Sequence, residues 1–468
     1  MKFYLNFISR ALLCLAFVFG MSVVPARAGY LYVLSQQNGA PNQIYCFKVN
    51  ETTGTLVPAA GFPVSSGGNG VTGTQSELLT IDRASNRLYA INKGSNTVGA
   101  FTINTTTGAL TPMPFSPLTV VTNAVTIAVH PTGSPLVVGG NTGTPLSGVY
   151  RADSFDITST TATQAAGSPF NTGGARPFSS VFSRDGNYYY VGGALSTTFA
   201  GLSVDTGTDI LTTLPSSPYN VGSPTTLAYA TDTQGRLFTA NRTDGGLRVF
   251  TTSGGVPTAV SGSPFATSFT GLTDGVLSPN EQFYVVADSS GSQVASYQIS
   301  GAGAATTLSQ VGSAPSNGST ANTIAFNQTG TLLYAANSST RNISRYSFNT
   351  TTGAVTLLAT TSADSAGVAG FLAGMDYLPT LAPTAASVPV SGRVVTAKGQ
   401  GIAKVTVTLT DSEGNVRIAL TNPFGYYRFD NVSVGETYII SAASKRYSFA
   451  PAVINVSDEL SEVNFSAQ

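Results

Sequence analysis

The sequence predicts an all-β protein: a seven-bladed β-propeller closed by strands from its two ends, followed by a small C-terminal β-sandwich. Three observations lead to this fold. The 468 residues include 50 Gly, 25 Phe and 20 Tyr, and with many Thr and Val this composition suits half-buried strands joined by tight turns. A group of four short apolar segments recurs about every fifty residues. Charged residues become about twice as frequent in the last part of the chain, which indicates a separate domain.

The N-terminus predicts a secretory signal over residues 1–28. Lys2 and Arg10 give it a positive start, and Ala11–Gly20 is an apolar run too short to span a bilayer. Ala26–Ala28 then supplies a small–x–small cleavage pattern, so the mature chain should begin near Gly29. An uncleaved anchor is the alternative, which the shortness of the run disfavours. We therefore expect an exported protein (periplasm, cell surface or medium) with no membrane insertion after signal cleavage.

The repeat contains four strands. A small apolar strand such as Ile127–Val129 is followed by a turn and by a second strand that carries an aromatic anchor. The third strand alternates apolar and polar residues, and a Thr- and Gly-rich turn leads to the fourth. Four antiparallel strands at this period are typical of propeller blades, although a solenoid could share the period. The anchors recur at one or two periods: Tyr89, Tyr189, Phe238, Tyr284 and Tyr334.

The two ends of the repeat favour a closed ring. The first unit begins at Tyr30–Val33, which matches a second strand, so its first strand is missing. After the last complete unit comes one more strand-like segment, Phe371–Tyr377, which resembles the missing one. A C-terminal strand that completes the N-terminal blade leaves no open edge. Counting second strands from Tyr32 to Tyr334 gives seven blades, and residues 29–380 form the predicted propeller.

A second domain follows a short Ala/Pro linker at 381–390. Residues 391–468 contain alternating segments such as Val405–Leu409 and Tyr426–Phe429, separated by Gly- and Asn-containing turns. About seven short strands in roughly eighty residues predict a small sandwich.

Charge and cysteine content exclude several classes of function. The chain has 22 basic and 22 acidic residues and a net charge of zero, so it lacks the field that nucleic acid or an anionic membrane would require. Cys14 leaves with the signal and Cys46 remains alone, which allows no internal disulfide. The loops Asp244–Gly246 and Asp288–Ser292 lack the spacing of calcium sites. We expect no cofactor and no metal, a monomer, and a protein or glycan ligand on one face of the propeller.

Two families resemble the two parts of the chain. Leu88–Asn92, Thr106–Pro112 and Leu332–Asn337 resemble repeats of the lactonase-type propellers, which include 6-phosphogluconolactonase-like and YVTN-repeat proteins. In the tail, Gly392–Val394 and Thr421–Phe429 resemble the carboxypeptidase regulatory-like (prealbumin-like) domain. The second resemblance implies a spacer, adhesive or folding module without catalysis.

The first resemblance implies a lactonase site with His, Arg and Glu near a channel mouth. The single histidine, His130, occupies a turn position that other repeats fill with small polar residues, so we interpret it as a turn residue. The positions where the resemblance would place histidines hold Asn123 and Val125. The catalytic candidates that remain each lie near the start of an innermost strand, and the alternative is that they are solvated loop charges: Glu77, Arg176 and Asp274.

The sequence therefore leaves two hypotheses of different class. In the first, the chain is an exported binding or interaction scaffold that uses loops on one face of the ring. In the second, it is a lactonase-family hydrolase that opens a sugar lactone, a hypothesis that rests on the resemblance alone. A purely structural surface protein is not separated from the first hypothesis by any feature of the sequence.

Overall fold

The computed structural model describes residues 28–71, 77–120, 123–142, 149–193, 195–363, 370–379, 387–411, 415–433, 436–456 and 459–468. Residues 1–27 of the predicted signal and residues 381–386 of the predicted linker lie outside these residues. The chain divides into two compact units, of which the first ends at Thr380 and the second is Leu381–Gln468. Within the described residues, one short 3₁₀ turn at Gly303–Ala305 interrupts an otherwise all-β architecture.

The first unit is a ring of seven antiparallel sheets, the blades. The first blade contains β1 (Ala28–Gln37), β2 (Pro41–Asn50), β3 (Leu56–Pro58) and β4 (Val64–Asn69). The second contains β5 (Leu79–Asp82), β6 (Arg87–Asn92), β7 (Thr97–Ile103), β8 (Leu110–Pro112) and β9 (Leu118–Thr119). The third contains β10 (Thr126–Val129), β11 (Leu136–Thr142), β12 (Val149–Ile157), β13 (Ala162–Gln164) and β14 (Phe170–Asn171).

The fourth blade contains β15 (Ser179–Phe182), β16 (Tyr188–Gly192), β17 (Thr198–Asp205), β18 (Ile210–Thr213) and β19 (Tyr219–Asn220). The fifth contains β20 (Thr226–Thr231), β21 (Arg236–Asn241), β22 (Leu247–Ser253) and β23 (Val256–Ala259). The sixth contains β24 (Leu272–Leu277), β25 (Phe283–Asp288), β26 (Gln293–Ser300) and β27 (Thr307–Pro315). The seventh contains β28 (Ala321–Phe326), β29 (Leu332–Asn337), β30 (Asn342–Phe348) and β31 (Val355–Ser362).

The ring closes as the sequence predicted. The last strand of the unit, β32 (Gly370–Pro379), pairs with β1 in antiparallel register from Gly29–Pro379 to Gln37–Gly370. It thereby becomes the innermost strand of the first blade, whose order is β3-β2-β1-β32. The prediction of a closing strand over Phe371–Tyr377 is confirmed, and each blade has its innermost strand beside the central channel.

The repeated aromatics hold neighbouring blades together. The hydroxyl of Tyr32 donates to the carbonyl of Gly108 at 2.7 Å, and the hydroxyl of Tyr334 donates to that of Gly54 at 3.3 Å. Both glycines lie in an outer turn of the next blade with positive φ, a conformation that glycine adopts without strain. In the fourth blade the same bond is made by Tyr190 rather than by the expected anchor Tyr189. These three bonds link the first blade to the second, the fourth to the fifth and the seventh to the first.

The second unit packs two sheets face to face. Its strands are β33 (Val388–Val395), β34 (Thr406–Thr410), β35 (Val416–Leu420), β36 (Tyr426–Val432), β37 (Glu436–Ala443), β38 (Ala452–Val456) and β39 (Phe465–Ser466). One sheet has the order β36-β33-β39 and the other the order β35-β34-β37-β38. Alternating residues such as Val407, Leu409, Tyr427 and Phe429 form the core between them. The predicted small sandwich is confirmed.

Candidate functional site

The innermost strands of the propeller enclose a channel cavity of about 730 Å³. Its lining is mixed and includes four carboxyl residues: Glu77, Asp82, Asp274 and Asp376. Two of the three catalytic candidates from the sequence, Glu77 and Asp274, therefore line the same space, and neither is a solvated loop charge.

Glu77 reaches from the second blade to the third and fourth. Its Oε2 accepts hydrogen bonds from the backbone N–H of Ser180 at 2.9 Å and from the hydroxyl of Thr126 at 3.3 Å. Its Oε1 accepts a bond from the hydroxyl of Ser179. These donors sit at the beginning of β10 and β15, so the carboxyl group ties together the innermost strands of three blades.

The environment of Glu77 favours its protonated form. Burial raises the pKa of Glu77 to about 8, and the nearby carboxylate of Asp274 acts in the same direction. The three hydrogen bonds oppose this shift because they stabilise the carboxylate. Near neutral pH the group is mainly a neutral acid, which can donate a proton but cannot act as a base.

Asp274 and Asp376 make similar ties between blades. Asp274 is 6% exposed and its Oδ2 accepts the backbone N–H of Ile324 in the seventh blade at 2.8 Å. Burial raises the pKa of Asp274 to about 6. Asp376 of the closing strand accepts the backbone N–H of Ile81 in the second blade at 3.0 Å and also pairs with Arg83. These carboxyl groups therefore satisfy backbone donors on the neighbouring innermost strand.

The third candidate, Arg176, does not join Glu77 and Asp274. It lies in a separate pocket of about 40 Å³, at the end of the channel where the innermost strands begin and the second strands end. This mouth pocket is formed by the second, third and fourth blades. Its lining consists of Lys93, Asn123, Val125, Asn141, Arg176, Pro177 and Phe178.

The mouth pocket holds two cations without a counter-ion. Lys93 and Arg176 are both half-buried, and in the described part of the chain neither makes a hydrogen bond or an ion pair. Burial, together with the neighbouring guanidinium of Arg176, lowers the pKa of Lys93 to about 8. Two adjacent, desolvated and unpaired positive groups are unfavourable in isolation, and an anion between them would relieve both the repulsion and the loss of hydration.

His130 lies at the opposite end of its strand from the mouth pocket. Its Nδ1 accepts the backbone N–H of Thr132 at 3.2 Å, and its Nε2 lies 3.1 Å from the carbonyl oxygen of Gly186. A hydrogen on Nε2 and a bare Nδ1 would satisfy these two partners, which favours the neutral tautomer. Burial lowers the pKa of His130, which agrees with a neutral ring. The histidine closes its own turn, as predicted, and also links the third blade to the fourth.

In the two acidic loops that were compared with calcium sites, the carboxylates accept hydrogen bonds from nearby groups of the protein. Asp244 pairs with Arg248 at 2.6 Å and accepts the N–H of Gly246. Asp288 accepts the N–H of Ser290. Within the described ranges, no group of three or more His, Cys, Asp or Glu residues is placed to hold a metal ion. No helix in that same part of the chain is long and apolar enough to cross a membrane.

Two residues of the mouth pocket escaped the sequence-based search. Lys93 follows β6 directly, and Asn141 lies near the end of β11. For Lys93 the sequence does offer a signal. This long cationic residue comes directly after Asn92, the last residue of β6, and lies against residues of the neighbouring blades. Asn123 and Val125, the positions that hold no histidine, line this same pocket.

The two parts of the chain match two family models. Residues 237–369 match the family described as lactonase, 7-bladed beta-propeller. Residues 389–468 match the family described as carboxypeptidase regulatory-like domain. None of the curated proteins matches the sequence at a significant level.

Solved structures share the propeller fold at low sequence identity. A candidate 6-phosphogluconolactonase from Bacteroides fragilis NCTC 9343 has a TM-score of 0.60 and 16% identity, and the match covers 75% of this chain and 98% of that one. The periplasmic gluconolactonase of Pseudomonas aeruginosa has a TM-score of 0.58 and 15% identity, and the match covers 76% of this chain and 100% of that one. A protein of unknown function from Desulfotomaculum acetoxidans DSM 771 has a TM-score of 0.55 and 14% identity, and the match covers 75% of this chain and 99% of that one.

At these identities the structural likeness establishes the fold and carries no activity with it. The chain therefore resembles the lactonase-type seven-bladed propellers over its first unit and the carboxypeptidase regulatory-like domains over its second.

Proposed function

We propose that this protein is an exported ligand-binding propeller that recognises a small anionic molecule at one mouth of its channel. The observation that carries this proposal is that Lys93 and Arg176 lie together in the mouth pocket and that its described lining contains no counter-ion for them. Functional ligands of ring-shaped scaffolds bind where loops of several blades converge, and this pocket lies at such a convergence of three blades.

The alternative site for chemistry is less suited to it. Glu77 and Asp274 are engaged with backbone N–H groups of neighbouring blades, so their carboxyl groups are already bonded in the closed ring. At neutral pH the raised pKa of Glu77 leaves this group mainly protonated, whereas Asp274, whose pKa is raised only to about 6, is mainly ionised. Binding at the mouth pocket needs neither group to leave its place.

The mouth pocket should lose its ligand when either cation is removed. We expect Arg176→Met and Lys93→Met each to weaken binding of a small acid about 10- to 100-fold, since a charge-assisted hydrogen bond is worth about 1.5–3 kcal/mol. Calorimetry with a panel of hydroxy acids, oxo acids and sugar phosphates would identify the ligand and measure this loss. Lys48→Met is the matched control, because Lys48 is exposed on β2 and lies away from the pocket.

Equal affinity in the pocket variants and in Lys48→Met would contradict the proposed site. Export is tested in the same preparation: cell fractionation and the N-terminal mass should show a mature chain that begins near Gly29. A full-length chain retained in the cytoplasm would contradict that part of the proposal.

Lactone hydrolysis is the second candidate function. The match of residues 237–369 to the lactonase model favours it, and the cations of the mouth pocket could stabilise the oxyanion that develops when a lactone carbonyl is attacked. Asn123 and Val125 stand where the resemblance would place histidines, so in the described lining of the mouth pocket the group that could act as a base is the neutral form of Lys93.

A turnover assay separates the two functions. For a binding protein, we expect sugar lactones to hydrolyse at the background rate in the presence of the wild type. Hydrolysis that is lost in Arg176→Met and Glu77→Ala but retained in Lys48→Met would instead assign the protein to the hydrolases. Acid release, followed by titration at constant pH, measures the rate directly.

A further inference from the structure

We propose that Lys93 and Arg176 form a binding site for a compact oxyanion, a carboxylate or a sulfate- or phosphate-like group, that takes up a proton as the anion binds. This inference rests on the proposed ligand-binding function and adds to it the chemical class of the recognised group and a dependence of binding on pH.

The size of the mouth pocket limits what can enter it. At about 40 Å³, it exceeds the roughly 10–15 Å³ that one water molecule needs, but it is far smaller than the pockets of about 300–1,000 Å³ that enclose whole small-molecule ligands. Only the head group of a ligand can therefore sit between the cations, and the remainder must lie outside the pocket. The apolar walls of Val125, Pro177 and Phe178 face that head group together with two amide side chains.

The charges around Lys93 explain why a proton should follow the anion. Arg176 is the one other charged residue among those that line the pocket, and it disfavours the ammonium form of Lys93. With a pKa near 8, about half of the Lys93 side chains are neutral at pH 8. An anion placed between the two groups reverses the local field and favours the ammonium form. Binding at this pH must then take up a proton.

The sign of the pH dependence follows from this linkage. Below pH 7, Lys93 is already charged, so binding is strong and takes up almost no proton. Above pH 8 the free protein loses the charge of Lys93 while the complex retains it, so affinity falls as pH rises. The affinity stops falling only above the higher pKa of the complex, where Lys93 is neutral in both states.

Competitive labelling of lysines with an acylating reagent tests the inference on the unmodified protein. The reagent reacts with neutral amines, so the labelling of each lysine as a function of pH gives its pKa, and mass spectrometry reads the sites separately. The probes are acetate and inorganic sulfate, neither of which titrates between pH 6 and 10. The exposed residues Lys48, Lys398 and Lys404 serve as internal controls.

We expect a titration of Lys93 near pH 8 without the probes and an upward shift of about one unit or more at saturating sulfate or acetate, with the three control lysines unmoved. A response to acetate alone would identify a carboxylate site, and a response to sulfate alone a site for doubly charged groups. A Lys93 titration that no anion moves overturns the inference.

Lys93→Arg separates this inference from the proposed function. It keeps the positive charge but cannot titrate in this range, so we expect it to bind the anion with an affinity independent of pH from 7 to 10 and with no proton uptake in calorimetry. Identical pH dependence in wild type and Lys93→Arg would overturn the proton uptake while leaving anion binding intact. Absence of binding in both proteins would count against the proposed function as well.

Discussion

A chain that ends at Ala369 should fail to form a stable propeller, whereas a chain that ends at Thr380 should retain it. The two chains differ by the closing strand β32, which pairs with β1 and completes the first blade. Without β32, the first blade loses its innermost strand, and the ring is no longer closed at this blade. The edges of β1 and of the neighbouring blades would then be exposed to solvent and to other chains.

The energetic cost of losing β32 is comparable to the whole stability of a domain. Its four large buried side chains are Leu372, Met375, Tyr377 and Leu378, each at most 6% exposed. Burial of one such side chain contributes about 1.5–3 kcal/mol, so the four together contribute about 6–12 kcal/mol. Folded proteins are stable by only about 5–15 kcal/mol. The shorter chain should therefore be largely unfolded or aggregated.

Circular dichroism and gel filtration of the two truncated chains measure this difference. The chain ending at Thr380 is the matched control, since it also lacks the second unit and differs only in β32 and the residue after it. We expect it to be monodisperse with a cooperative thermal transition, and we expect the shorter chain to show neither property. A cooperative transition in the chain ending at Ala369 would show that strand closure is not required.

The architecture was predictable because each blade repeats the same strand pattern, with a buried aromatic or apolar residue in its second strand. In three blades a tyrosine hydroxyl of that strand also bonds a glycine carbonyl of the next blade, as Tyr32 does with Gly108. Strand closure was predictable for a related reason: a ring needs each blade to be complete, and the chain carries the missing strand at its other end. Where the anchor was misplaced, at Tyr189 in place of Tyr190, two adjacent tyrosines made the register ambiguous.

The candidate site was predictable only in part because it depends on side-chain direction. Glu77, Arg176 and Asp274 all lie near the start of an innermost strand, but at different offsets from the first paired residue. Successive residues of a strand point to opposite faces, so a difference of one position decides whether a side chain enters the channel or the space above it. Lys93 and Arg176 lie in one pocket because the ring brings the second and fourth blades close together. The local sequence around either residue does not predict this proximity.

Replacing Glu77 by glutamine should make the propeller more stable at neutral and alkaline pH, while leaving it almost unchanged at pH 4. In the folded protein the pKa of Glu77 is raised from its ordinary value of 4.5 to about 8. Between these two values the unfolded chain releases the proton that the folded chain retains. The stability contributed by protonated Glu77 is therefore complete below pH 4.5 and is lost as pH rises toward 8, by about 1.4 kcal/mol per pH unit at most.

Glutamine is the appropriate substitute because it resembles the protonated acid. Its carbonyl oxygen can accept the N–H of Ser180 and the hydroxyl of Thr126, and its amide can donate to the oxygen of Ser179. The variant keeps these contacts and does not titrate. The difference in unfolding free energy between Glu77→Gln and wild type should thus be near zero at pH 4 and grow to a few kcal/mol by pH 8.

Denaturant titrations of the first unit at pH 4, 6 and 8 measure this difference, followed by circular dichroism because the chain contains 0 tryptophans. Glu77→Ala is the control for lost contacts. It leaves the Ser180 N–H without its acceptor, and because neither variant titrates at position 77, it should be about 1–3 kcal/mol less stable than Glu77→Gln at every pH. Asp274, which titrates in all three proteins, cannot by itself produce a divergence that continues above pH 7, because its pKa is raised only to about 6. Parallel pH profiles for wild type and Glu77→Gln would mean that Glu77 ionises normally in the closed ring. Its role would then be limited to the hydrogen bonds that tie the second, third and fourth blades together.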